Sequence, residues 1–281
     1  MLFQLFRIQQ WYKNLLIFLP LVFAGFLGDI GSVFLTIVGF LALCLMSSTN
    51  YILNDILDRK KDQLHAEKRN RPIASGKVST PAATFLAVIL AVISLIIAFF
   101  LSELFFVLLL IFFLLTQLYS LYFKEELFAD IIFISTNFVL RAMAGSFILN
   151  IRLSPWLIIC TFFLSLFIVV GKRKADLAFL KTDANKHKRV LQAYEEKITH
   201  TLMIIATTAL LLSYSLYSFL SIYPQLIYSL PFALYVILRY FYICEANTSI
   251  ARHPEQFYKD IRLLLGILAW GALLILLIYF L

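Results

Sequence analysis

The fold is decided by Ile37-Val38-Gly39-Phe40-Leu41-Ala42-Leu43-Cys44-Leu45-Met46-Ser47-Ser48-Thr49-Asn50-Tyr51-Ile52-Leu53-Asn54-Asp55-Ile56-Leu57-Asp58-Arg59-Lys60-Lys61-Asp62. Its apolar part belongs to a run over 32–53, long enough to cross a bilayer, for which about 20 residues suffice. That run leads straight into a charged segment. Eight more apolar runs, bounded by charges or turn residues, lie at about 15–31, 82–101, 104–123, 128–149, 154–171, 201–220, 225–244 and 263–281. The expectation is an all-α polytopic membrane protein with nine transmembrane helices, forming a single integral membrane domain over 1–281.

Composition agrees. Of 281 residues 62% are hydrophobic and only 14% charged, where soluble domains carry about a quarter. A soluble globular enzyme and a disordered chain are both excluded. Cys44, Cys160 and Cys244 lie far apart inside apolar runs, which excludes a disulfide scaffold and reads as three buried small hydrophobes. The first run contains Pro20 and lacks a small-x-small cleavage site, so it reads as an uncleaved span and not a signal peptide. Net charge is +8, and 22 of the 24 basic residues fall in the N-terminus or in 54–81, 124–127, 172–200 and 239–262. The positive-inside rule therefore predicts a cytoplasmic N-terminus, with charged cap loops at about 54–81 and 172–199 on the same side of a cell inner (plasma) membrane. Both loops retain spaced apolar residues, so short amphipathic helices are expected there.

Beyond the second span, Asn54, Asp58, Asp62 and Asp55 fall at about 0°, 40°, 80° and 100° around a helix. Carboxylates about 6 Å apart at an effective dielectric of 20 repel by roughly 2–3 kcal/mol per pair. A Mg²⁺ ion, which takes oxygen ligands partly from substrate phosphates, relieves that repulsion. The alternative is a solvated face neutralised by Arg59, Lys60 and Lys61. The loop continues with Lys68, Arg69 and Arg71, cations suited to a polyanion. The second loop opens Gly171-Lys172-Arg173-Lys174-Ala175-Asp176, where Lys172, Arg173 and Asp176 repeat the spacing of Asn54, Asp55 and Asp58 with cations in place of two acceptors. Arg141, within the fifth run, costs about 2.5–3.5 kcal/mol on insertion scales. It is either a site residue or half of a structural ion pair. Lys13, Tyr119 and Lys124 stand at span edges. No nucleotide-binding, hydrolase-triad or nucleic-acid-binding signature is present, and the four histidines lack metal-ligand spacing.

Asn54-Asp55-x-x-Asp58-x-x-x-Asp62 resembles the first aspartate-rich motif of the UbiA-type intramembrane prenyltransferase superfamily. That resemblance implies nine helices around a lipid-open cavity capped by cytoplasmic loops. The usual second aspartate-rich motif is missing. In its place Gly171-Lys172-Arg173-Lys174-Ala175-Asp176 is similar to the pattern of the decaprenyl-phosphate phosphoribosyltransferase branch. Gln10-Trp11-Tyr12-Lys13-Asn14, Lys68 to Ala74, Tyr119-Ser120, Leu140-Arg141-Ala142, Arg189 with Tyr194, and His253-Pro254-Glu255 resemble that branch too. Asp176 for the usual Glu and a non-aromatic Lys174 are departures.

The resemblance implies Mg-dependent transfer of a 5-phosphoribosyl group from phosphoribosyl diphosphate to a polyprenyl phosphate, releasing diphosphate, in cell-envelope precursor synthesis. It implies Asn54, Asp55, Asp58 and Asp62 as metal ligands. Asp58, Asp62 and Asp176 are the implied catalytic carboxylates. Substrate contacts fall on Lys13, Asn54, Lys68, Arg71, Tyr119, Lys124, Arg141, Lys172, Arg173, Lys188 and Arg189. The partners are the sugar donor, the lipid phosphate and the membrane, with no nucleic acid; a homo-oligomer is compatible with the sequence. Two other readings remain open at this point: prenyl transfer from a polyprenyl diphosphate to a small aromatic or sugar acceptor, and transport of an anionic solute.

Overall fold

A computed structural model describes residues 2–64, 68–180, 194–246 and 248–281. Among these, every regular element is helical. Eight helices have the length and apolarity to cross a membrane: α1 (Ile30–Leu57), α2 (Thr80–Leu101), α3 (Glu103–Leu121), α4 (Ala129–Leu149), α5 (Pro155–Leu180), α6 (Glu196–Leu220), α7 (Leu230–Glu245, counted with the 3-10 turn Pro224–Ser229 that leads into it) and α8 (Ile261–Tyr279). The protein is thus an integral membrane protein. The chain divides into two compact units, Met1–Leu121 with Leu140–Arg152, and Tyr122–Val139 with Leu153–Leu281, so that α4 contributes to both.

In the first unit α1 packs chiefly on α2 and also meets α3. Asp29 caps α1, accepting from the Ser32 amide at 3.0 Å, and Ser79 caps α2 with Pro81 in its first turn. Lipid tails are as apolar as leucine, so helices associate through close packing and hydrogen bonds. Small residues on α2 supply the first: Ala83, Ala87, Ser94 and Ala98 are all buried. Ser94 Oγ supplies the second, donating to the Ala42 carbonyl at 2.7 Å. Bulky side chains such as Phe85, Phe99 and Phe100 point outward, as a lipid-facing surface requires.

The first expected span, 15–31, is not one α-helix. It is folded as 3-10 turns over Ile8–Phe18, a short α-helix Leu19–Phe23 and a further 3-10 turn Phe26–Gly28. Pro20 has no amide hydrogen and sits in the first turn of the short helix, and Gly25 breaks the path with a left-handed φ of 78°. The segment nevertheless runs the length of α1. Arg7 contacts Asp55, Trp11 Nε1 donates to Ser48 at 3.1 Å, Asn14 Nδ2 to Cys44 Sγ at 3.2 Å, and Ile17 packs near Gly39. Asp29 then caps the far end. The segment thus lies antiparallel to α1 in irregular form, and among the described residues the regular spans number eight, not the expected nine.

In the second unit α5 packs along α6, and α7 along α8. Gly171 permits the approach of α5 to α7: a Cβ there meets Cys244 Sγ. α5 continues to Leu180, nine residues past the expected span end at 171, because its charges pair instead of ending the helix. The segment Gly171 to Asp176, expected to open a loop, is therefore helical. Residues 181–193, with the expected Lys188 and Arg189, lie outside the described residues. Of the expected cap helices, Arg59–Gln63 and the turn Lys68–Asn70 are present in the first loop. All three cysteines are buried and free, as expected.

Candidate active site

The acidic motif sits where α1 leaves its apolar length. The helical path continues through it: the Asp58 amide donates to the Asn54 carbonyl at 2.9 Å and the Asp62 amide to the Asp58 carbonyl at 2.8 Å. α1 itself stops at Leu57, and the short helix Arg59–Gln63 that follows carries Asp62. Asp55 and Asp62 are each 3% exposed, while Asn54 and Asp58 are partly buried. Arg71 holds the buried pair together, its Nη1 lying 3.0 Å from Asp55 Oδ1 and 2.6 Å from Asp62 Oδ2. Arg7 reaches Asp55 from the N-terminal arm and lies over the Tyr51 ring at 5.1 Å. Two buried carboxylates are thus neutralised by two partly exposed guanidiniums. Lys68 completes the cluster. Burial, with the Arg71 charge beside it, pulls its ammonium below the ordinary lysine value, while Asp62 and Asp58 pull it back up.

Arg7 was not among the expected site residues. It approaches Asp55 only because residues 8–28 run back along α1, and nothing local in the sequence announces that return.

Deeper along α1 lies a second polar group of the first unit. Asn14 Oδ1 accepts from Arg141 Nε at 2.8 Å and from Ser47 Oγ at 3.3 Å, and the Arg141 guanidinium covers the Phe112 ring at 4.8 Å. Asn50 Oδ1 accepts from Gln117 Nε2 at 2.7 Å. Lys13 lies 5.9 Å from the Tyr12 ring, and Tyr119 on α3 is partly buried.

The charged end of α5, in the second unit, is built around Asp130. This carboxylate has no exposed surface; it accepts from Arg173 Nε at 2.9 Å and from the Tyr194 hydroxyl at 2.6 Å. Burial and the Asp130 carboxylate push the Tyr194 phenol up, keeping it a donor. Its oxygen also accepts from the Phe128 amide at 3.2 Å. Arg173, expected at substrate phosphates, is 5% exposed, and Lys174 is ion-paired with Glu245. Asp176 meets Arg252 Nε at 3.3 Å, and Arg252 stacks over Phe179 at 4.2 Å. Lys172 is exposed and Lys124 partly buried.

Membrane-length helices with convergent carboxylates at the end of one span are the build of an integral-membrane transferase for phosphorylated substrates. The chain belongs to the UbiA prenyltransferase family, which residues 15–259 match. It is 32% identical to the decaprenyl-phosphate phosphoribosyltransferase of Mycolicibacterium smegmatis, over 98% of this chain and 91% of that protein. Identity to the protein of the same name from Mycobacterium tuberculosis is 30%, over 95% and 90%. The fold is that of a UbiA homologue from Archaeoglobus fulgidus solved with GPP and Mg²⁺, with a TM-score of 0.75 and 19% identity over 97% of this chain and 98% of that one.

The donors at the end of α1 fit a magnesium ion in kind. They are oxygens only, and two buried carboxylates already converge on one positive group. Among the described residues no set of three His, Cys, Asp or Glu side chains is gathered at ligating distance. Mg²⁺ needs no such cage, since it binds through one or two carboxylates with waters and substrate phosphates.

Proposed function

We propose that this chain transfers a 5-phosphoribosyl group from phosphoribosyl diphosphate to a polyprenyl phosphate, at the cytoplasmic face of the cell inner membrane. The observation that carries this reading is the pair Asp55 and Asp62, buried, converging on Arg71 at the edge of a membrane span. The names of the two mycobacterial relatives support the ribosyl over the prenyl donor. So does the basic, not acidic, character of the stretch Gly171 to Lys174 in α5.

In the reaction the bond between ribose C1 and the diphosphate oxygen breaks, and a bond from C1 to a lipid phosphate oxygen forms. The leaving group is diphosphate, so negative charge grows on it as the bond opens. A bound Mg²⁺, held by Asp55, Asp58 and Asp62 with Asn54, would supply neutralisation of that charge. Arg71 and Lys68 bind phosphate oxygens beside it. Arg7 holds Asp55 in place from the opposite side. The attacking phosphate is already an anion at neutral pH, so no side chain needs to remove a proton. Catalysis is then positioning plus preorganised charge.

Membranes containing the protein, given labelled phosphoribosyl diphosphate, Mg²⁺ and polyprenyl phosphate, are expected to place label in the lipid fraction. No lipid label, together with reaction of a polyprenyl diphosphate with an aromatic acid, would overturn the reading. Uptake of an anionic solute into proteoliposomes without turnover would replace it with transport.

A further inference from the structure

α1 changes character well before its end. Met46 is followed by Ser47-Ser48-Thr49-Asn50, and the helix runs on to Leu57. Its 28 residues span about 42 Å at 1.5 Å per residue, against a hydrocarbon thickness of about 30 Å. Measured from Ile30, the apolar depth is used up at about Asn50, so this residue stands where hydrocarbon gives way to headgroups. Asp58 lies two turns farther out, about 11–12 Å along the axis.

Asn50 is 2% exposed. Its Oδ1 is occupied by Gln117 Nε2, which turns the amide nitrogen the other way. Among the described residues Nδ2 has no hydrogen-bond partner. Buried amide donors are seldom left so. Ser47, Asn50, Asn54 and Asp58 follow at three- and four-residue steps along one face of α1. One turn below Asn50, Ser47 joins Asn14 and the Arg141 guanidinium. A directed donor and, one turn deeper, a group holding a fixed positive charge therefore follow each other on this face, which is the chemistry of a phosphate site.

We propose that Asn50 positions the phosphate of the polyprenyl acceptor, with Arg141 as its countercharge, at a site distinct from the carboxylates assigned to the diphosphate. The inference rests on the transfer reaction proposed above. An apolar tail anchors the lipid phosphate near the hydrocarbon boundary, whereas a soluble sugar diphosphate has no cause to descend below it. The two turns between Asn50 and Asp58 match what the displacement requires. The attacking phosphate must lie on the far side of the ribose from the leaving diphosphate.

The test uses the full chain in lipid nanodiscs and the variants Asn50→Leu, Asn50→Asp and Gln117→Glu. In the last of these the new carboxylate accepts from Asn50 Nδ2 once the Asn50 amide turns round, and so withdraws the donor without altering Asn50 itself. Binding is measured for farnesyl phosphate, inorganic phosphate and phosphoribosyl diphosphate separately, then KM for donor and acceptor. Loss of a hydrogen bond to a charged group corresponds to about a tenfold to hundredfold change. Asn50→Asp, which also adds a repelling charge, is expected to weaken farnesyl phosphate binding and raise acceptor KM by about a hundredfold, Asn50→Leu and Gln117→Glu by at least about tenfold, with donor KM within about twofold. An equal rise for the sugar donor, or unchanged farnesyl phosphate binding, overturns the assignment. If Asn50 variants do not remain monodisperse, Gln117→Glu decides: an unchanged acceptor KM overturns it. A wild-type protein that binds farnesyl phosphate in an Asn50-dependent way but transfers no ribosyl group removes the transfer reaction and keeps the anion site. Normal transfer with acceptor binding indifferent to Asn50 removes the site alone.

Discussion

Asp130 shows how little a single charge means without its partner. It is wholly buried, and its two oxygens are taken by Arg173 and Tyr194. Removing one member of a buried ion pair costs about 3–5 kcal/mol, because the other is stranded, while replacing both with apolar groups is often neutral. Arg173→Ala is therefore expected to lower the Tm of the purified protein sharply. Asp130→Asn combined with Arg173→Met should recover most of that loss, and failure of the pair to recover would mean the charge acts on more than stability. Asp58→Asn, at a partly buried carboxylate, carries the opposite signature, with the folded protein retained and Mg²⁺-dependent transfer reduced at least about a hundredfold. Asp62→Asn should reduce transfer as much and also lower the Tm, because it breaks the ion pair to Arg71. Unchanged transfer in both removes the metal assignment. Asp260 gives a pH-dependent case. The Arg239 hydrogen bond and the Leu263 amide hold its carboxyl below the usual carboxylate range, against the opposing effect of burial. Its contribution is thus complete above the unfolded value of about 3.9 and fades as pH falls through the lower folded value. Asp260→Ala, which also removes the cap of α8, should cost about 1 kcal/mol at pH 7, and the gap from wild type should narrow in acid melts. These charges were legible in the sequence but their partners were not, since Arg7 and Asp55 are 48 residues apart and Asp130 and Arg173 43.

Helices were legible where apolar runs were long, because the bilayer alone sets their length. Their ends were less so. Charge marks where a span leaves the membrane, yet α5 continues as helix through its charged end, and α1, which stops at Leu57, is followed at once by the helical turn Arg59–Gln63. Hydropathy reads depth, and the backbone hydrogen-bond ladder does not stop at a membrane surface. The same reasoning explains the first span, where apolar residues were visible but Pro20 and Gly25 prevent one regular helix. Close approaches were not readable at all, and two of the glycines that permit them differ in kind. A Cβ at Gly171 meets Cys244 Sγ, a side-chain atom, whereas one at Gly145 meets the backbone carbonyl of Ile17. Overpacking of this kind costs about 1–3 kcal/mol. Gly171→Ala should lower Tm and be relieved by Cys244→Ala, while Gly145→Ala should lower it more and find no relief in trimming Ile17 to Val. Relief of both, or of neither, would show that these contacts do not set the packing distance.

On the scale of the whole molecule the decisive property is sidedness, since a phosphorylated sugar is met only where it is dissolved. The positive-inside rule predicts a single side for the segments that hold 22 of 24 basic residues, and in the first unit the acidic motif meets Arg7 and Arg71 at one end of α1. The irregular segment 8–28 matters here, because Arg7 contacts Asp55 at one end of α1 while Asp29 caps the other. If the segment truly crosses, Phe3 and Gly28 lie on opposite sides of the membrane; if it only dips in and returns, they share one. Cysteine reporters can separate the cases, because Cys44, Cys160 and Cys244 are buried and give little background. Single replacements Phe3→Cys, Gly28→Cys, Lys77→Cys and Arg152→Cys all fall at exposed positions. A membrane-impermeant maleimide added to intact cells should label Gly28→Cys and Arg152→Cys at once, and Phe3→Cys and Lys77→Cys only after lysis. Labelling of Phe3→Cys together with Gly28→Cys would make the N-terminal segment a re-entrant hairpin. The fully inverse pattern would turn the carboxylates away from the cytoplasm, and a cytoplasmic sugar diphosphate could then not be the donor.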